Sequence, residues 1–125
     1  MNGDPYSEQV RALFDAPAHA GVLKGSPMVI VDDQGLRVQF SADTIDGSIT
    51  SMRFLAWGCP HVIAAAEAVC ADFEGRVISD LEDFVAADLM QSLAVPTEKS
   101  GRIIVIEDAV QSLGATLRKI SESSD

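Results

Sequence analysis

Cysteine and basic residues are scarce in this sequence. Two cysteines in 125 residues are too few for a disulfide framework, and both are expected as reduced thiols. Nine Lys and Arg stand against nineteen Asp and Glu, for a net charge of −10. A nucleic-acid binder needs a basic stripe to neutralise phosphates, so that class is excluded. The same deficit disfavours an anionic membrane surface. No apolar run approaches the roughly 20 residues of a membrane-spanning helix. The start, Met1 to Pro5, lacks the basic and apolar regions of a signal peptide. A cytoplasmic protein is therefore expected. There is no internal repeat, no low-complexity tract, no phosphate loop and no Ser-His-Asp set, so no enzyme is expected. What remains is a 47% hydrophobic chain, enough for one core and for a single domain over residues 1–125. Its acidity keeps it soluble or steers it toward basic partners.

Ser7 is a plausible N-cap, with Val10, Leu13 and Phe14 following at helical spacing. Pro17 ends that helix, and the next ten residues read as loop. Met28 to Val31 is a short apolar run, and Asp32-Asp33-Gln34-Gly35 a turn. Leu36, Val38, Phe40 and Ala42 alternate with polar residues, which is a strand with one buried face. Asp43 to Gly47 reads as a second turn. A third strand carries Met52, Phe54 and Ala56 on one side and Ser51 and Arg53 on the other, and Trp57 is expected in the core. Three strands with tight connections form an antiparallel meander.

The second half is helical. Pro60 suits a first helical position and Gly75 a stop, with Val62, Ala66, Val69 and Phe73 as an apolar stripe between them. Ser79 is expected to cap a short turn, and Asp83 a helix running to Leu93 before Pro96. Ile103, Ile106, Val110, Leu113, Leu117 and Ile120 are spaced by threes and fours, an amphipathic helix of about five turns. The tail 121–125 is expected to fray. The fold class predicted is α+β, a three-stranded antiparallel sheet with helices on one face.

Several stretches now resemble one family. Tyr6-Ser7-Glu8-Gln9-Val10 is similar to a Y-S-x-x-V opening, and Pro17 to Gly21 to a P-x-x-x-G loop. Trp57-Gly58-Cys59 resembles an x-G-C motif, with Ile63-Ala64-Ala65-Ala66 following where the family has I-A-x-S. Glu107-Asp108-Ala109 resembles the E-D-A of a last helix. In this order they resemble the NifU/IscU family of iron–sulfur cluster assembly scaffolds. The resemblance implies a protein on which sulfur from a cysteine desulfurase and iron are built into a cluster, then passed to an apo-protein. Three cysteines with a nearby Asp and His form the family site, because soft thiolates hold iron and zinc best. This chain is a divergent member. The family's Cys-Gly-Asp loop maps onto Asp32 to Gly35, and its His-Cys pair onto Gly101-Arg102. Its chaperone-recognition segment L-P-P-V-K maps onto Val95-Pro96-Thr97-Glu98-Lys99, which lacks the apolar middle. Only Cys59 survives among the ligand cysteines.

Cys59 is thus the candidate cofactor-binding residue. It directly precedes Pro60, at a predicted helix N-terminus, where the dipole and free N–H groups favour a thiolate. His61 lies two residues on, is expected partly exposed, and could assist it. Asp32 or Asp33 with Cys59 and His61 would supply three metal ligands, where zinc wants about four. A cluster also needs about four, so none is expected to bind stably. Cys70 falls on the apolar stripe and reads as a small buried hydrophobe. A helical span of roughly 16 Å separates it from Cys59, against a disulfide limit of about 7 Å. His19 reads as a loop histidine. Three functions stay open: a divergent scaffold or sulfur carrier, a metal-free interaction module of the same fold, and a thiol enzyme using Cys59 and His61.

Overall fold

The structure is a computed structural model that describes residues 8–15, 17–33, 35–58, 60–93 and 100–123. Ser7, Cys59 and the segment 94–99, with Pro96 and Lys99, lie outside the described residues. The elements run α1 (Glu8–Asp15), β1 (Met28–Asp33), β2 (Leu36–Ile45), β3 (Ser48–Trp57), α2 (Pro60–Phe73), α3 (Ser79–Glu82), α4 (Ala86–Ser92) and α5 (Ser100–Ser123). The strands form one antiparallel sheet in the order β1-β2-β3, as expected from the alternating pattern.

Both hairpins are tighter than the sequence suggested. The β1–β2 ladder continues through Asp32↔Arg37 and Asp33↔Leu36, so both aspartates belong to β1 rather than to a turn. The β2–β3 ladder continues to Ile45↔Ser48. The turn shrinks to Asp46 and Gly47, with φ of 53° and 80°. Two successive positive φ values give a hairpin turn whose twist matches that of the strands, and Asp-Gly is a favoured pair for it.

The inner face of the sheet carries Val38, Phe40, Ala42, Met52 and Phe54, all buried. α5 packs across β1 and β2, and α2 against β3. The three-and-four spacing of α5 places Ile103, Ile106, Val110, Leu113 and Leu117 in the core. That continued periodicity, not the β-branched run at its start, decides its conformation. Ile120 is 48% exposed, and the helix runs on through Ser123 rather than fraying at 121. Gly114 lets α5 approach α3: a Cβ there would lie 2.8 Å from the Cβ of Leu81 and 3.1 Å from the Glu82 backbone nitrogen.

Four further expectations are corrected. Trp57 is 51% exposed, because the alternation that turns Met52, Phe54 and Ala56 inward turns Trp57 outward. His61 is buried at 2% exposure; α2 is covered on most of its circumference rather than along one stripe. Ser79 is not a cap. The turn begins earlier, with the Asp80 N–H donating to the Val77 carbonyl, and the cap position is Ile78. Asp83 ends α3 instead of starting α4. The first N–H of α4, on Ala86, instead donates to Glu107 Oε1 at 2.8 Å. A side chain of α5 thus satisfies a helix start that has no local cap.

Candidate functional site

The junction between β3 and α2 is where the sequence places its candidate thiol, Cys59. Arg37 in β2 pairs with Trp57 at the end of β3 and with Asp32 in β1. These three residues form a row across the outer face of the sheet. The Arg37 guanidinium donates to both Asp32 oxygens, at 3.0 and 3.1 Å. It also lies 5.9 Å from the Trp57 ring centroid, within cation–π range. Hydrogen bonding from Arg37 holds the Asp32 carboxyl below its ordinary value. Asp33 is exposed opposite Leu36, and the buried Leu36 side chain lies under Gly58.

The fold therefore brings the β1–β2 turn close to the strand–helix junction, as the family mapping implied. Among the described candidates, it does not bring Asp32 and His61 together. Asp32 is on the outer sheet face with its carboxylate engaged by a cation, while His61 is in the interior. Among the described residues, no group of three or more His, Cys, Asp or Glu is placed to hold a metal ion. Of the described candidates, Asp32 and Asp33 offer hard oxygens rather than the soft thiolates that zinc and clusters favour, and Asp32 is ion-paired.

A second polar site, which sequence reading had reduced to a loop histidine, is much denser. Residues 19–21 are strapped to β3: the Phe54 N–H donates to the His19 carbonyl at 3.0 Å, and the Gly21 N–H to the Phe54 carbonyl at 2.8 Å. This strap delivers the His19 ring between two carboxylates of α2 and the turn after it. Nδ1 lies 2.6 Å from Glu67 Oε2, and Nε2 lies 3.0 Å from Glu74 Oε1. The His19 backbone N–H donates to the other Glu67 oxygen at 2.7 Å. A neutral imidazole carries one N–H and would set a lone pair against one carboxylate. Both contacts are satisfied only by the imidazolium.

Burial of the ring works against its charge, but the hydrogen bonds and charges of Glu67 and then Glu74 outweigh it. His19 is held above its ordinary value. Glu74 is shifted oppositely. Burial opposes its ionisation, yet the Met52 N–H, His19 and Arg53 hold it below its ordinary value. The Met52 N–H donates to Glu74 Oε2 at 2.9 Å, and Arg53 reaches the same oxygen at 2.7 Å. One carboxylate thus satisfies an edge N–H of the sheet and closes the network. Cys70 lies within the field of this cluster. Burial first, then the charges of Glu67 and Glu74, push its thiol far up, so it is inert as a nucleophile.

A family model, the NifU-like N terminal domain, matches residues 5–120. The chain belongs to that family of iron–sulfur cluster assembly scaffolds. Iron sulfur cluster assembly protein 1, mitochondrial, of Eremothecium gossypii is 25% identical over 76 residues, 61% of this chain and 49% of that protein. The chain thus spans about half the length of that relative, whose name places it outside the cytoplasm. Among solved structures, a nitrogen-fixing NifU-like protein (N-terminal) from Brucella abortus superposes with a TM-score of 0.69 at 15% identity, covering 93% of this chain and 94% of that one. A protein of Fervidobacterium islandicum AW-1, assigned as an iron–sulfur cluster assembly scaffold for the SUF system, gives 0.59 at 15% identity, with 84% and 81% covered. At such identities the structural likeness establishes the fold. No helix among the described residues is long and apolar enough to cross a membrane.

Proposed function

We propose that residues 1–125 form one NifU-like domain that acts in iron–sulfur cluster assembly as a sulfur acceptor working through Cys59, rather than as an enzyme. The observation that carries this reading is the place of Gly58-Cys59-Pro60 in a chain whose family match spans residues 5–120. Gly58 follows the last residue of β3, and Pro60 is the first of α2. The other thiol, Cys70, is sealed in the core. Pro60 opens α2, so Cys59 directly precedes a helix N-terminus, the positive end of the helix dipole. Such a terminus favours an anion beside it.

The chemistry asked of Cys59 is a thiol exchange. Its thiolate attacks the outer sulfur of a persulfide on a cysteine desulfurase. A new S–S bond forms on Cys59, the old S–S bond breaks, and the desulfurase thiolate leaves, with no net oxidation. The sulfur then passes to an apo-protein acceptor or to a cluster under assembly as cargo. A chaperone partner would have to read a 95–99 segment that lacks the family's apolar middle.

The test is incubation with a cysteine desulfurase and cysteine, followed by mass spectrometry of intact and digested protein. Addition of one sulfur at Cys59, lost in Cys59→Ser and kept in Cys70→Ser, is the expected result. The ion pair between Asp32 and Arg37 favours a second reading, a metal-free interaction module of the same fold. That reading is preferred if Cys59 takes up no sulfur while the protein still binds the desulfurase. Anaerobic reconstitution with iron and sulfide separates either from a scaffold: stoichiometric, chelator-resistant iron would overturn both.

A further inference from the structure

The far end of α2 carries a different surface. Along α2 it lies about 20 Å from the strand–helix junction. Here α2 meets the connection from α3 to α4 and leaves a cleft of about 410 Å³. Its floor is apolar. Phe73 and Phe84 meet edge to face, with centroids 5.8 Å apart. Val85 is 54% exposed beside them, and Leu89 is half-buried. Its rim is acidic, with Asp72, Asp80, Asp83 and Asp88 all lining it.

Two of these carboxylates are already paired within the chain, and that pairing shows what the lining accepts. The Arg76 guanidinium lies over the Phe73 ring at 4.6 Å. It is held from both sides, by Asp72 at 2.8 Å and Asp80 at 3.1 Å. The other two lining carboxylates lack such a cation. Asp83 and Asp88 are exposed, and neither has an ion-pair partner among the described residues. Phe84, Val85 and Leu89 line the same cleft. A chain of net charge −10 repels another copy of itself here and attracts a cation-rich partner.

We propose that this cleft docks a basic amphipathic segment of a partner protein. An aliphatic or aromatic side chain of that segment would rest on Val85 and Leu89. Flanking Arg or Lys residues would pair with Asp83 and Asp88. Arg76 shows the arrangement within the chain: a guanidinium on an aromatic face between two carboxylates. The site is independent of Cys59, so it stands or falls separately from sulfur transfer.

The test uses the full chain and a short synthetic peptide with Leu on one face and Arg on the other. Binding is followed by amide chemical shifts and by titration at low and high salt. The expected result is shift changes centred on residues 83–89 and weaker binding at high salt. Asp83→Asn with Asp88→Asn should weaken binding about tenfold, equivalent to about 1.4 kcal/mol. Val85→Ser, at an exposed position, should weaken it severalfold. A control that removes equal charge elsewhere, Asp46→Asn with Asp108→Asn, should change it less than twofold. Equal losses in the two double variants would mean non-specific attraction and overturn the proposal. So would equal binding of an acidic Leu-Glu peptide, shift changes centred elsewhere, or no binding.

Discussion

Two polar regions of this molecule invite comparison. At the junction of β3 and α2, where family members place their ligands, Asp32 and Arg37 form an exposed pair, with side chains 59% and 52% accessible. Near the other end of α2, His19, Glu67, Glu74 and Arg53 form a network in which the Glu67 side chain is only 5% accessible. In the first region charges meet in water, where they are screened and contribute little. In the second they meet in a partly dry setting, where removing one partner strands another. The exposed Asp32–Arg37 pair therefore contributes less to holding this chain together than the His19 network does. The Asp32 carboxylate at the end of β1 is satisfied at the surface by Arg37.

The comparison can be broken most directly at Glu67. Glu67→Ala leaves His19 Nδ1 and the His19 backbone N–H without their acceptors, and should cost about 3 kcal/mol in urea unfolding. A loss no larger than that of a surface substitution would put both regions in one class. Cys70→Ser sets a hydroxyl in an apolar site beside the same network. It should cost about 1–2 kcal/mol without altering sulfur uptake at Cys59; unchanged stability would show the site to be wetter than its burial implies.

The pH dependence of stability sharpens the contrast. His19 is raised above its ordinary 6.5, so its contribution is fully present below pH 6.5 and is lost as pH rises through its folded value. Glu74 is lowered from its ordinary 4.5, so its contribution is fully present above pH 4.5 and is lost as pH falls through its folded value. The network should thus be strongest between about pH 4.5 and 6.5. His19→Gln should remove the decline on the alkaline side. Persistence of that decline in the variant would assign it to other groups. The smallest effect belongs to the exposed pair. Arg37→Ala should leave the unfolding midpoint unchanged while the Asp32 carboxyl returns to the ordinary carboxylate range in an NMR titration. A large drop in midpoint would show that the surface pair is a structural element after all.

Much of the fold was legible residue by residue. Alternation in 36–42 and 51–56 and the three-and-four spacing of 103–117 each report one buried face, and burial of that face is what the elements are for. The outward side of Trp57 was legible by the same alternation and was missed through the general preference of Trp for cores. The hairpins were read too loosely because Asp and Gly signal a turn without saying how far the ladder runs into it. For the site, Cys59 and its flanking Gly58 and Pro60 were visible as a motif, while Asp32 read as a turn acid and lies in β1. That Asp32 is held by Arg37, and that His61 is interior, were not.

The sequence by itself determined the three strands and their inward residues, the identity of the long helix, the acidic charge and the burial of Cys70. Each rests on neighbours a few positions apart, where periodicity and local charge act without knowledge of the rest of the chain. Only the tertiary structure decided that His19 meets Glu67 and Glu74, 48 and 55 positions away, and that Glu107 caps α4 from α5. Such pairs form when the loop, the sheet edge and the helices close around a common core. A side chain's partner is then set by which surfaces are brought together, and no local pattern encodes that.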